Sequence, residues 1–185
     1  GSDSLAQLTG LGIAFLLLFA LWQYSRQKGD ESYAWLTPLI FISTPTFFTG
    51  ASSAYVDLQA AAYVFLAFYS WENGCKRNQS SWFLLMTLFA GAAVATKLTT
   101  VIILPLAFLG LALHGRTHKN EKQTAQQCLM LVLGSLIILS PWLARNYFFT
   151  GNPVAPFFMS FFGGDAGMNW DATRSQMQFQ YYSSF

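Results

Sequence analysis

Apolar residues in this chain come in long blocks rather than in alternation. The blocks run roughly over Leu5–Tyr24, Tyr33–Phe48, Tyr55–Trp71, Trp82–Thr96, Thr99–Leu113 and Cys128–Ala144, with polar breaks between them. A membrane-spanning helix needs about 20 apolar residues, within a range of about 17–25. Leu5–Tyr24 meets that length, is too long for a signal-peptide core, and has no small-residue cleavage site after it. The other blocks are shorter, and need flanking residues or a thinned bilayer to cross. A soluble domain accommodates one buried helix of this kind. Six in succession, almost free of internal charge, predict an all-α polytopic transmembrane helix bundle of about six spans.

Trp82–Leu113 could form one helix interrupted only by Lys97. Such a helix would be about 48 Å long, against a hydrocarbon core of about 30 Å, with a lysine at its centre. A break at Thr96-Lys97 instead makes a hairpin with Lys97 at its tip, and this is the expected arrangement. After Arg145 the pattern changes. Gly151-Asn152-Pro153 signals a turn, and Val154–Phe162 is apolar but too short to span. It is expected to lie at the interface or to re-enter. The chain therefore reads as a single transmembrane domain over residues 1–185, with 146–185 as a loop and interfacial segment on one face.

Composition agrees with this picture. Hydrophobic residues make up 54% of the 185, and charged residues only 10%, against about 25% charged in an ordinary soluble domain. The net charge of +2 gives no case for a nucleic-acid partner. The placement of charge says more. Of the ten Lys and Arg residues, Arg26, Lys28, Lys76, Arg77, Arg116, Lys119 and Lys122 fall in three loops that share one side of a six-span bundle. Lys97, Arg145 and Arg174 fall on the other. The positive-inside rule makes the first side cytoplasmic. Gly50–Ala54, Thr96–Leu98, the segment after Ala144 and the amino terminus are then outside, which suggests a further span upstream of Gly1-Ser2. Cys75 and Cys128 form no CxxC and no metal-type spacing.

The unusual polar groups gather on the outer side. Ionisable residues at membrane depth are costly and point to function. Asp57 begins a helix, where the dipole already favours an acid; a carboxylate there also suits metal binding or proton abstraction from an acceptor. Lys97 suits either a snorkelling interfacial role or contact with a lipid-linked phosphate. Arg145, after Pro141-Trp142 and before Tyr147, suits an interfacial anchor or bidentate phosphate binding. Tyr55, Asn146 and Asn152 are candidate acceptor or cleft-lining residues. His114 and His118 have zinc-type i, i+4 spacing but no third ligand nearby in sequence. Gly163–Gly167 could form an anion nest, and Asp165 and Asp171 are not a close acidic pair. No metal site is assigned. A divalent metal is compatible with the chemistry but not required by it. P-loop, Rossmann and GxSxG motifs are absent from the sequence.

Three motifs occur in order: Tyr55-Val56-Asp57-Leu58; Gly91 through Thr99 with Leu104-Pro105; and Pro141 through Tyr147 running into Thr150 through Phe157. With them the chain, over about Tyr33 to Gly164, resembles the bacterial GT-C membrane glycosyltransferases (glycosyltransferase family 39-like), related to protein O-mannosyltransferases and aminoarabinose transferases. The resemblance implies a polyprenyl-phosphate-sugar donor and transfer, usually with inversion, to a glycolipid, polysaccharide or protein acceptor outside the bacterial inner membrane. It matches Asp57 to the second outer-side acid, Lys97 to the basic position that meets the donor phosphate, and Arg145 to a later positive position. The family's principal acid lies in a first outer loop that has no counterpart here, so this chain alone is expected to be inactive. Two rivals remain open, a membrane transporter and a non-catalytic membrane scaffold.

Overall fold

Long apolar blocks leave backbone N–H and C=O groups nothing to pair with except one another, and helices pair them within a single segment. The computed structural model describes residues 2–52, 56–118, 121–155 and 157–162, and among these residues every regular element is helical. Its helices are α1 (Ser2–Lys28), α2 (Leu36–Ile42), α3 (Pro45–Ser52), α4 (Asp57–Arg77), α5 (Ser80–Thr96), α6 (Ile103–His118), α7 (Glu121–Thr150) and α8 (Met159–Phe162). Short 3-10 turns cover Glu31–Tyr33 and Leu98–Ile102. The chain divides into two compact units, Gly1–Leu139 and Ser140–Phe185.

Helix α4 is the centre of the first unit and packs on α1, α5 and α6. One core cluster joins Ala14 and Leu17 of α1, Phe47 and Ala51 of α3, and Leu58 and Ala62 of α4. A second joins Ala67 of α4, Phe83, Met86 and Ala90 of α5, Leu111 of α6 and Leu131 of α7. Small residues set the spacing. A Cβ on Gly74 would stand 2.9 Å from the ring of Phe83, which is fully buried. A Cβ on Gly91 would stand 2.8 Å from Ile138, and one on Gly134 would stand 2.5 Å from Thr87. Glycines on both α5 and α7 therefore admit close backbone approach, the usual device of apolar helix packing.

Three stretches are long and apolar enough to cross a membrane: Gln7–Lys28, Leu98–Thr117 and Glu121–Thr150. Among the described residues these three are compatible with a membrane protein, and they account for three of the about six spans expected. Helix α5 is apolar but has only 17 residues. Helix α4 has 21 residues, enough for about 31 Å, but carries Asp57, Glu72, Lys76 and Arg77 at its ends. The block Tyr33–Phe48 is not one helix. The helical path stops at Ile42 and restarts at Pro45, a residue without the N–H that would continue the ladder. Ser43 and Thr44 donate their hydroxyls to the carbonyls of Ile40 and Phe41 at the break.

Two loop expectations are also corrected. Much of His114–Gln127 is helical, because α6 runs on to His118 and α7 begins at Glu121. Arg145 and Asn146 do not end the last long helix, which continues to Thr150 and stops at Gly151, in a left-handed conformation with φ of 71°. The break at Lys97 is where the sequence places it: α5 ends at Thr96.

Gly115 makes the tightest helix contact. A Cβ there would lie 1.8 Å from Thr124 Oγ1 and 2.7 Å from Thr124 Cβ, so α6 or α7 would have to move. Gly12 has nothing within 4 Å. Gly115→Ala is expected to destabilise by about 1–3 kcal/mol despite its better helix propensity. Gly12→Ala is expected to be neutral or stabilising by up to about 1 kcal/mol. Thermal unfolding of the two variants in the same detergent checks this contrast.

Candidate functional site

The turn at Asn78, left-handed with φ of 49°, folds α5 back along α4. Because the two helices are similar in length, the start of α4 and the end of α5 arrive at one level. Asp57 occupies the first turn of α4, where the helix dipole favours an acid. Lys97 is the residue at which α5 stops. Its backbone is extended, with φ −148° and ψ 112°, while its N–H still donates to the Ala93 carbonyl. The Thr100 amide and hydroxyl both donate to the Lys97 carbonyl and start the 3-10 turn. Helix α6 then runs back alongside α5, with His114 of α6 against the Phe83 ring.

The result is an ion pair between Lys97 Nζ and Asp57 Oδ1, residues 40 apart in sequence. Both side chains keep substantial exposure, 43% for Lys97 and 66% for Asp57. Beside the pair is a groove of about 320 Å³ lined by Asp57, Thr44, Thr46 and Thr49, with Phe41, Phe47, Gly50 and Leu58 as its apolar wall. The three threonines were not singled out from sequence. They lie at the break between α2 and α3 and on α3 itself, and share the groove with Asp57.

Of the other expected residues, Tyr55 lies outside the described residues, as do Gly163–Gly167, Asp165 and Asp171. Arg145 is exposed on α7 and belongs to the second unit, whereas the Asp57–Lys97 pair belongs to the first. Asn146 donates to the Ala155 carbonyl at 3.2 Å. Asn152 is fully buried, donates to the Phe157 carbonyl at 2.8 Å and accepts from the Val154 amide at 3.0 Å. Both asparagines tie together the segment that follows α7. Among the described residues no three His, Cys, Asp or Glu side chains group as metal ligands.

At the opposite end of the α4–α5 hairpin the charges are arranged differently. Glu72, near the end of α4, pairs with Lys28 of α1 and with Lys76 at 2.9 Å. Arg26 lies over Trp22 at 4.8 Å and Arg77 over Trp82 at 5.4 Å. Gln27 donates to the Tyr69 hydroxyl at 2.7 Å. One end is thus basic and aromatic, and the other carries a single acid–lysine pair beside hydroxyls.

Residues 2–184 match the sequence family described as Domain of unknown function (DUF8201). The chain belongs to this family. No curated protein and no solved structure matches it. For this DUF8201 chain the chemistry has to be read from the two ends of the hairpin themselves.

Glu72 lies just past the apolar run Tyr55–Trp71. Burial pushes its carboxyl upward, but hydrogen bonds from Lys28 and Lys76 outweigh burial and leave its pKa below the ordinary glutamate value of 4.5. A folded-state pKa below the unfolded value means a stabilising contribution that is present above about pH 4.5 and lost as the pH falls through the folded value. Glu72→Gln is therefore expected to lower the melting temperature at pH 7 and to flatten its acid-side fall. Melting curves of wild type and variant between pH 7 and acid check both effects.

Proposed function

We propose that the chain is part of a multi-pass glycosyltransferase of the bacterial inner membrane. It moves a sugar from a polyprenyl-phosphate carrier to an acceptor on the extracytoplasmic side. The observation that carries this reading is the pairing of Asp57 with Lys97 at the end of the hairpin remote from the basic, aromatic end. The positive-inside rule turns that basic end to the cytoplasm. The pair then faces outward, next to a groove with threonine hydroxyls. The order of the three motifs around Asp57, Lys97 and Arg145 supports the same assignment.

Two opposite charges in contact make a simple exchange available. In the resting pair each is the other's counterion. A donor phosphodiester entering the groove competes for Lys97 through its two unesterified oxygens, and its hold on the ammonium grows as it gains charge on leaving as a monoester. Asp57 is then released to accept the proton of the acceptor hydroxyl. The acceptor oxygen bonds to the anomeric carbon while the bond from that carbon to the phosphate oxygen breaks. The phosphate leaves with the electron pair, and the Lys97 ammonium, freed from Asp57, meets its charge.

A transporter is the second reading, and the break between α2 and α3 favours it, since discontinuous helices line transport sites. Flux of substrate into sealed vesicles distinguishes it from transfer.

The test is Lys97→Ala and Asp57→Asn in the full-length protein, with transfer measured from a polyprenyl-phosphate-sugar donor. Both variants should fold, since an ion pair this exposed contributes about 0–1 kcal/mol. Transfer should fall by about 100-fold or more. Wild-type transfer by a folded Lys97→Ala protein removes Lys97 from the site.

A further inference from the structure

The last turn of α7 and the segment after it expose six phenylalanines. Phe148 and Phe149 stand on α7, Phe148 being 84% exposed, and Phe157, Phe158, Phe161 and Phe162 follow, Phe161 being 81% exposed. Residues 146–162 contain no charged side chain. An exposed apolar surface of this kind marks contact with a membrane or another protein. Protein interfaces are enriched in arginine and rimmed by polar groups. Here the exposed large side chains are phenylalanines and one tyrosine, which suits lipid.

Hydrogen bonds fix the level at which these rings sit. The apolar run of α7 ends at Ala144, and Arg145 is the first charge after it. The Asn146 carboxamide donates to the Ala155 carbonyl at 3.2 Å. The returning segment is therefore held beside the first residue past Arg145. Gly151 turns the chain, and the buried Asn152 closes the turn by donating to the Phe157 carbonyl and accepting from the Val154 amide. Helix α8 adds four residues, about 6 Å. The middle of a hydrocarbon core lies about 15 Å below its surface, out of reach of such a piece.

Phe158 adds an independent sign. Its backbone is left-handed, with φ of 54°, a conformation that a bulky residue adopts only under constraint. Its carbonyl accepts from the Phe161 and Phe162 amides, both at 3.0 Å, and so starts α8. Glycine would make that turn without strain. The Phe158 ring is exposed, so packing among the described residues gives no reason for a phenylalanine there. Contact outside the chain does.

We propose that residues 147–162 form an aromatic foot that lies in the headgroup and upper acyl region of a phospholipid bilayer and fixes the vertical position of α7. That helix has 30 residues, about 45 Å, against a core of about 30 Å. Its length alone leaves open which part lies in lipid, and the foot decides it. The inference rests on α7 crossing the bilayer and is independent of the transfer reaction.

The experiment measures depth in phosphatidylcholine vesicles. Phe148→Cys, Phe161→Cys and Ile137→Cys are each made in a Cys75→Ala, Cys128→Ala background and given a nitroxide label. Relaxation by lipid-dissolved oxygen is compared with relaxation by a water-soluble nickel chelate. Labels at 148 and 161 should lie about 5–10 Å below the phosphates, and the label at 137, in the middle of the apolar run, near the bilayer centre. A label at 161 near the centre means re-entry and overturns the proposal. So does a label open to the chelate alone, which means water, or one shielded from both probes, which means cover by a partner or a second copy. A shallow label at 137 overturns it as well, by removing the crossing of α7. Should the cysteine-free background not fold, Phe161→Trp in the otherwise unchanged chain gives the same reading. Its added fluorescence should be quenched more by lipids brominated near the headgroup than by lipids brominated near the chain end, and the reverse order or no quenching overturns the foot.

Discussion

Small side chains along α4 govern how near its neighbours come, and most of the first unit follows from that spacing. Ala60, Ala62, Ala67, Ser70 and Gly74 are buried on this helix. Apolar helices surrounded by apolar material gain little from hiding surface and must be held by dense contact between backbones and side chains. Where a larger residue would keep the helices apart, Gly74 lets the Phe83 ring sit against the α4 backbone. The same logic repeats between α5 and α7 at Gly91 and Gly134. Few polar contacts are needed along the middle of these helices, and the hydrogen bonds of Asn73 and Thr87 go back to their own helix, to the carbonyls of Tyr69 and Phe83.

Charge is consequently displaced to the helix ends, and the two ends of the hairpin are chemically unlike. At one end lysines from two helices share a single glutamate, and arginines rest on tryptophan faces. The aromatic rings give these cations a place at a boundary between apolar and wet surroundings. At the other end one aspartate and one lysine face each other beside a row of threonines. This polarity is a property of the packed hairpin. It would exist whatever reaction or cargo the protein handles, and it supplies the physical basis for assigning the two ends to different tasks.

Much of this was legible in the residues. The apolar blocks announced helices, and Lys97 inside an otherwise apolar run marked the break between α5 and α6, because a charge in mid-helix would be costly to bury. Asp57, Lys97 and Arg145 were expected to gather on one face, from the counting of spans; Asp57 and Lys97 are in contact, and Arg145 belongs to the other unit. The fractured second block was not seen, although Pro45 and the preceding Ser43 and Thr44 carried the signal: one residue lacks an N–H and two have hydroxyls that bond backward to carbonyls. The helical extension of α6 toward His118 was missed because its last turns are polar, and block-reading treats polar residues as loop.

Lys97 is held by the main chain rather than by its own side chain. It stands where one helix stops, so its direction is fixed by how many residues α5 contains after the Asn78 turn. One inserted residue in α5 would rotate the lysine by about 100° and advance it by about 1.5 Å. The ammonium would then leave the aspartate altogether, although no side chain at either position had changed. Homologous chains that keep this pair are thus constrained in the length of α5 as tightly as in the identity of the two residues. An alignment gap between Asn78 and Lys97 would signal loss of the pair as surely as a substitution.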